Sequence, residues 1–283
     1  LNEYNNNPPI LIDSIVCFTD ILGFSTLNNS LTTHQQNKLL QNLHLTLNSQ
    51  YEIIRQTNPI GHFKTFTDNI ILAYPFFDDN EGRFGSILMT LVEYQLNMTL
   101  KGYFLRGGIS IGQYYGDETF AYGPALVDSY RLESTIAVSP RIILSSQTSE
   151  MMQTYSRYYH SVNVAPHYNY ILKDEDNIYF LNYLYHLKYH LELDNNFDWY
   201  MGQIRLHKSL IIDRLNEYNT KLIESPEKSE QFIEIIKKYT WTAQYHNYYC
   251  NLYCDNREIV EFSLLIESVG SRDFSRIKNN TLP

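Results

Sequence analysis

Two aspartates stand where a divalent cation could be held. In SIVCFTDILGFS, Ser14 to Ser25, the apolar run Ile15 to Phe18 predicts a short strand, Asp20 follows at its carboxyl end, and the chain then turns at Gly23. An acid in that place has its position fixed by the strand and its oxygens left open by the turn, which suits a hard cation. One carboxylate binds Mg²⁺ weakly, so a second is needed. HFKTFTDNIILAY supplies Asp68, in a predicted hairpin with apolar arms and with Phe66, Ile70 and Ile71 as near neighbours. A carboxylate among such residues is costly unless paired, and a metal ion is a ready partner. The plainer readings remain open: a turn or cap residue for Asp20, and a tight-turn aspartate for Asp68. Lys64, four residues before Asp68, is either part of the same site or a solvated strand lysine.

A third segment, FLRGGISIGQYYGDETFAYGPALVDSYRLES, Phe104 to Ser134, carries RxGIxxG, then YG, then RLES. With the two aspartate segments, in this order and spacing, it resembles the catalytic domain of class III nucleotide cyclases. RGGISIG, YGPALVDSY and the following SPRIILS are most similar to the pyrimidine cyclases of the Pycsar anti-phage systems. The resemblance runs from about Ile12 to Leu184. It implies a ferredoxin-like palm and two Mg²⁺ or Mn²⁺ ions per site, held by Asp20, Asp68 and the backbone carbonyl of Ile21. It implies a head-to-tail homodimer in which Lys64 reads the base, while Asp68 serves the other active site. Arg131 aligns with the arginine that stabilises the transition-state phosphate, and Arg106 with the RGG arginine that contacts base or phosphates. Salt bridges are the competing account for both, Arg131 pairing with a neighbour such as Glu133.

The departures bear on the substrate. Where purine cyclases have their base-reading acid stands Phe120, and where they have a ribose-orienting asparagine stands Val127. Phe66, Phe120 and Tyr122 would fill the space of a purine's second ring, which points to a pyrimidine. Lys64 is donor-only, so it serves cytosine N3 or O2 but cannot accept the N3 proton of uracil. That tilts the reading toward CTP, although Thr65, Thr67 or a backbone carbonyl could accept the proton and admit UTP. The expected reaction makes the 3′,5′-cyclic monophosphate and pyrophosphate, and the resemblance implies a second messenger for anti-phage defence read by a separate effector protein. A purine cyclase, or an inactive cyclase homology domain used for dimerisation or nucleotide sensing, remains the alternative.

The elements that must position these residues follow from the pattern. Thr32 or Thr33 caps a helix to about Arg55, with Leu39, Leu40, Leu43, Leu47 and Ile54 as its apolar stripe. Strands are predicted near 61–66 and 69–74, an acidic loop from Asp78 to Glu81, a helix over 83–100, a strand over 104–111 and a hairpin arm over 114–122. Pro124 opens a helix through Ser134, and a strand follows over 141–144. Further on, 151–159 reads as helix, and 168–173 with 178–184 as a hairpin around DEDN. The order is α+β with a mixed sheet. From Trp199 the spacing becomes helical, broken at Ser225 and Pro226, and ends in a helical REIVEFSLLIES. The expected division is a catalytic domain over 10–185 and a helical appendix over 198–270, given to packing or dimer support.

Composition limits the rest. The chain has 283 residues and a formal charge of −9, which argues against a general nucleic-acid surface. Cys17, Cys250 and Cys254 are too few and scattered for a disulfide framework, and Cys250, Cys254 and His246 read as buried side chains rather than metal ligands. Gly107, Gly108, Gly112 and Gly116 form no Rossmann or P-loop fingerprint, since no helix follows them directly. The opening residues Leu1 to Pro9 read as a polar lead-in ordered only against a partner. With neither a signal-peptide pattern nor a run long enough to span a membrane, a cytosolic protein is expected.

Overall fold

The computed structural model describes residues 4, 7–24, 31–76, 81–159 and 165–277. Ser25 and Asp78 of the segments discussed above lie outside them. A βαββαβ unit forms the centre: β1 (Ile12–Ile21), α1 (Thr33–Thr57), β2 (His62–Phe66), β3 (Asn69–Pro75), α2 (Glu81–Leu100) and β4 (Leu105–Gly116). The sheet order β2-β3-β1-β4 is antiparallel throughout, the ferredoxin-like arrangement. The short β5 (Ala121–Tyr122) pairs with β4, then come α3 (Pro124–Arg131) and a π-helical turn (Leu132–Ile136). β6 (Ile142–Leu144) runs parallel to β4 and makes the sheet mixed; β8 (Tyr179–Leu181) and β7 (Ile171–Lys173) extend it. The expected α+β class with a mixed sheet and C-terminal helices is what the chain adopts.

Period-two alternation along β1 divides the sheet into two faces. Ile15, Cys17 and Ile21 join Ile70, Leu72, Leu105 and Ile109 in the main core beneath α1 and α2. Helix α2 is apolar on most of its circumference and correspondingly buried, with Phe84, Ile87, Leu88, Leu91 and Val92 all inaccessible. Val16 and Phe18 point the other way, toward Ile71, Ala73, Tyr114 and Ala125. Asp20 shares their parity, so it sits on the face that α3 covers. Gly108, across from Phe18, admits the chain after α3: a Cβ there would stand 2.4 Å from Leu132 Cβ and 2.5 Å from the Ser129 carbonyl oxygen.

Several local expectations are corrected. β1 has ten residues where Ile15 to Phe18 is the expected strand, and carries Asp20 within its paired length rather than beyond it. β4 is continuous through Gly116, leaving β5 only two residues. Leu40 is exposed, whereas Leu43, Gln50 and Ile54 form the inner face of α1. The chain over Pro166–Tyr170 is a short helix (α5, after α4, Ser146–Ser156), because Pro166 starts a turn and the aromatic residues pack against α2. Tyr4 is fully buried, its ring 5.2 Å from that of Tyr114 and its hydroxyl 2.8 Å from Ser14 Oγ, so this part of the lead-in packs on its own chain.

The C-terminal helices are α6 (Tyr185–Asp194), α7 (Phe197–Glu224), α8 (Ser229–Tyr253) and α9 (Asn256–Glu261), with the expected break at Ser225 and Pro226. Tyr200, Ile204, Trp241, Tyr245 and Cys250 belong to the same apolar cluster as the sheet. Trp241 Nε1 donates to Asp174 Oδ2 (2.8 Å) in the β7–β8 turn, where Arg141 and Arg272 also converge on Asp174. The Asp174 side chain is completely buried, and a carboxylate so placed requires these donors. His246 shares 2.9 Å with His207 through their Nδ1 atoms, and Cys250 lies beside it as a buried thiol. Among the described residues no helix is long and apolar enough to cross a membrane.

Candidate active site

The end of β1 is held between two neighbours, with Asn69 of β3 on one side of Asp20 and Arg106 of β4 on the other. Thr67 at the hairpin tip takes a left-handed φ of 55°, and the Ile21 N–H donates to the Asp68 carbonyl oxygen at 3.3 Å. These two features fold the β2–β3 turn back onto the strand end and bring the Asp68 side chain within hydrogen-bond reach of Asp20. Burial, that shared hydrogen bond and the like charges of Asp68 and Glu133 push the Asp20 carboxyl up to about 7, against the opposing pull of Arg106. Asp20 therefore gains and loses its proton near neutral pH.

Arg106 ties the arrangement together. Its Nε and Nη2 donate to Asp20 Oδ2 at 3.3 and 3.2 Å, and Nε is ion-paired at 2.6 Å with Glu133 Oε1. Glu133 is 4 % exposed and is carried inward by the π-helical turn, a distortion of the kind that often re-aims a side chain. Burial first, then the neighbouring Asp68, raise its carboxyl, while Arg106 and Lys238 lower it. In the sequence Glu133 offers itself only as a partner for Arg131; its distance from Asp20 along the chain and the regular look of RLES hide its role. Lys238, on α8, had no signal at all in the sequence.

Two carboxylates this close, one of which releases its proton near neutrality, can share a cation that displaces that proton. They fit Mg²⁺ or Mn²⁺ of the type that keeps several waters and takes phosphate oxygens, since such ions are held by one or two protein carboxylates. They do not make an all-protein cage: among the described residues no three or more His, Cys, Asp or Glu side chains are grouped for a metal.

The side chains of Lys64, Phe120 and Arg131 find partners other than Asp20 and Asp68. Lys64 is half-buried and donates to the carbonyl oxygens of Asp117 (3.3 Å) and Glu118 (3.2 Å) in the β4–β5 turn. Asp117 organises that turn, accepting from Tyr115 Oη, from Thr119 N and Oγ1 and from Phe120 N at 2.6 to 2.9 Å, which holds its carboxyl well below the ordinary range. Asp117 thereby places Phe120, whose ring centroid lies 5.5 Å from that of Tyr115 while about half its surface stays exposed. Phe66 and Tyr122 are exposed as well. Arg131 has a side chain 71 % exposed and is paired with Asp128 at 3.6 Å, not with Glu133. One chain thus assembles Asp20, Asp68, Arg106 and Glu133, and leaves Phe66, Phe120, Tyr122 and Arg131 facing outward.

No protein-family model matches the sequence, and no curated protein matches it. Among solved structures, the chain is similar to the adenylyl cyclase CyaB from P. aeruginosa, at 18% identity and a TM-score of 0.45 over 60% of this chain and 94% of that one. It is similar to the monomeric guanylyl cyclase domain of the RhoGC fusion protein from the aquatic fungus Blastocladiella emersonii (14%, 0.43, 61% and 95%). It is also similar to the guanylate cyclase domain of RhGC from Catenaria anguillulae, solved with GTP (15%, 0.42, 60% and 96%). At TM-scores below 0.5 these likenesses decide nothing about the chemistry of this chain.

Proposed function

We propose that this protein is a pyrimidine nucleotide cyclase of the class III type, acting as a homodimer on CTP or UTP. The observation that carries the reading is the Asp20–Asp68 pair, two carboxylates on adjoining elements with Asp20 poised to exchange its proton near neutrality. Bound there, Mg²⁺ or Mn²⁺ would lower the pKa of the ribose 3′-hydroxyl and neutralise the triphosphate. The 3′-oxygen attacks the α-phosphorus, the bond to pyrophosphate breaks, and the hydroxyl proton leaves to solvent. Arg106 and Glu133 hold Asp20 in place from the β4 side. Arg131, paired among the described residues only with Asp128 and directed outward, is the residue to reach across a two-fold interface to the partner's phosphate. The exposed Phe66, Phe120, Tyr122, Val127 and Tyr130 supply the apolar surface that such an interface would cover.

Phe120 offers no acceptor to an exocyclic purine amine, and Asp117 fixes its backbone in the turn that Lys64 also grips. With two of its donors spent on carbonyl groups, Lys64 keeps one for a base, which suffices for cytosine N3 or O2. By the same resemblance the cyclic product would serve as an anti-phage signal, made in the cytoplasm and read by a separate effector. Incubating the protein with equal ATP, GTP, CTP and UTP and Mn²⁺, and identifying products by mass, tests the reading: cyclic CMP or cyclic UMP is expected, and a dominant cyclic AMP or cyclic GMP would overturn the pyrimidine assignment. A second reading has its own observation. The Arg106 guanidinium already occupies Asp20, which favours a domain that senses nucleotide without turning it over; binding of a non-hydrolysable triphosphate without any cyclic product would identify it.

A further inference from the structure

The C-terminal helices close on the candidate site from the same chain. Tyr239 of α8 packs edge-on against Phe104 at 5.3 Å, and Ile235, Tyr218 and Phe232 enclose Leu22 in the same cluster. Leu22 lies two residues beyond Asp20, Phe104 two before Arg106, and the Leu22 N–H donates to the Phe104 carbonyl oxygen at 2.8 Å. The Tyr218 hydroxyl sits 3.3 Å from where a Cβ on Gly23 would be. This contact carries Lys238, next to Tyr239, into electrostatic range of Asp20 and Glu133. Its ammonium is half-buried and acts electrostatically on Asp20, Glu133 and Arg106. Among the described residues it has no carboxylate within ion-pair distance, because Glu234, one turn earlier, is paired with Lys237.

A half-buried ammonium that is repelled by Arg106 and unpaired is suited to an incoming anion. Asp20, Asp68 and Glu133 would repel a bare anion, so the ligand has to arrive as a metal complex. A polyphosphate carrying Mg²⁺ or Mn²⁺ meets both conditions, its metal going to the acids and its outer oxygens to the lysine.

We propose that Lys238, supplied by the C-terminal helix α8 of the same chain, binds the terminal phosphates of the triphosphate beside Asp20 and Asp68. The helical appendix is then a wall of the site as well as a packing element. This deepens the cyclase reading and rests on it, but its test does not need turnover.

The probe is inorganic tripolyphosphate, titrated calorimetrically into the full chain in the presence of Mn²⁺. Lys238→Met and Lys238→Gln are expected to weaken its binding by roughly tenfold or more, the usual scale for one charge-assisted contact. Lys238→Arg is expected to keep most of the affinity, and all three variants to keep the wild-type thermal midpoint and affinity for Mn²⁺ alone. Equal binding by wild type and the charge-free variants overturns the proposal. So does an absence of binding to wild type, or a loss in Lys238→Arg as large as in Lys238→Met. Lys238-dependent binding with no cyclic product from any nucleotide would instead refute the cyclase reading and leave the phosphate site standing.

Discussion

Asp20 pays for its position in desolvation, and its raised carboxyl pKa is the measure of it. Near pH 8 the group is ionised in both folded and unfolded chains, so the folded state carries the full cost of a partly buried charge. Replacing it with asparagine removes that cost while Arg106 keeps Glu133 as its partner. Asp20→Asn is therefore expected to leave the thermal midpoint of the metal-free protein at pH 8 unchanged or higher. The same variant, and Asp68→Asn, are expected to lower cyclic nucleotide formation by at least about a hundredfold, because removing a metal-binding carboxylate removes stabilisation from the transferring phosphate. Scanning calorimetry and product assays on the same preparations check both halves. Full activity in either variant would refute the metal assignment, whereas a collapsed midpoint in Asp20→Asn would show the carboxylate to be structural.

At the scale of elements, the close approach of β4 to the π-helical turn is what delivers Glu133 to Arg106. Gly108 permits it, and a methyl group there meets both Leu132 Cβ and the backbone oxygen of Ser129 at under 3 Å. Backbone cannot rotate away as a side-chain tip can, so Gly108→Ala should displace the turn and cost about 1–3 kcal/mol, as overpacking commonly does. Urea denaturation would read the cost, and cyclase activity should fall with it. How much of this was legible in the sequence depends on the range of the contact. The βαββαβ order and the place of Asp20 could be read because alternation, glycine turns and proline starts are local signals. The π-turn could not, since YRLES has an ordinary helical appearance and the turn's close approach to Gly108 is a contact between distant residues. Asp117 carries no signal within GDET, its turn being defined by hydrogen bonds rather than residue pattern. The seat of α8 on Phe104 joins residues more than a hundred positions apart, and Leu40 satisfies a helical stripe whose outer edge is exposed among the described residues.

The whole molecule is built around buried neutral histidines and, in the proposed function, around a two-fold axis. His167, His186 and His246 are lowered by burial to about 4, and His207 lies well below its ordinary value for the same reason. Each is neutral in the folded chain but takes up a proton near pH 6.5 when unfolded, so its contribution is present above pH 6.5 and lost as the pH falls toward 4, by up to about 1.4 kcal/mol per pH unit per group. Asp20 works in the opposite sense, favouring the folded state as the pH falls through about 7. The four histidines outnumber the raised carboxyls of Asp20, Glu93 and Glu133, and denaturant midpoints should drop on acidification from pH 6.5; His186→Phe, which also removes an Nδ1 unpartnered among the described residues, should make that drop shallower. The dimer is tested by mixing. If Asp20 and Arg131 of one site come from different chains, Asp20→Asn and Arg131→Ala homodimers are each inactive at both sites. A mixed dimer concentrates both substitutions in one site and leaves the other intact. Random exchange of equal amounts makes half the dimers mixed, each with one working site, so about a quarter of wild-type activity should return. Sites completed within one chain would show no recovery at any ratio, because every chain in the mixture would remain defective.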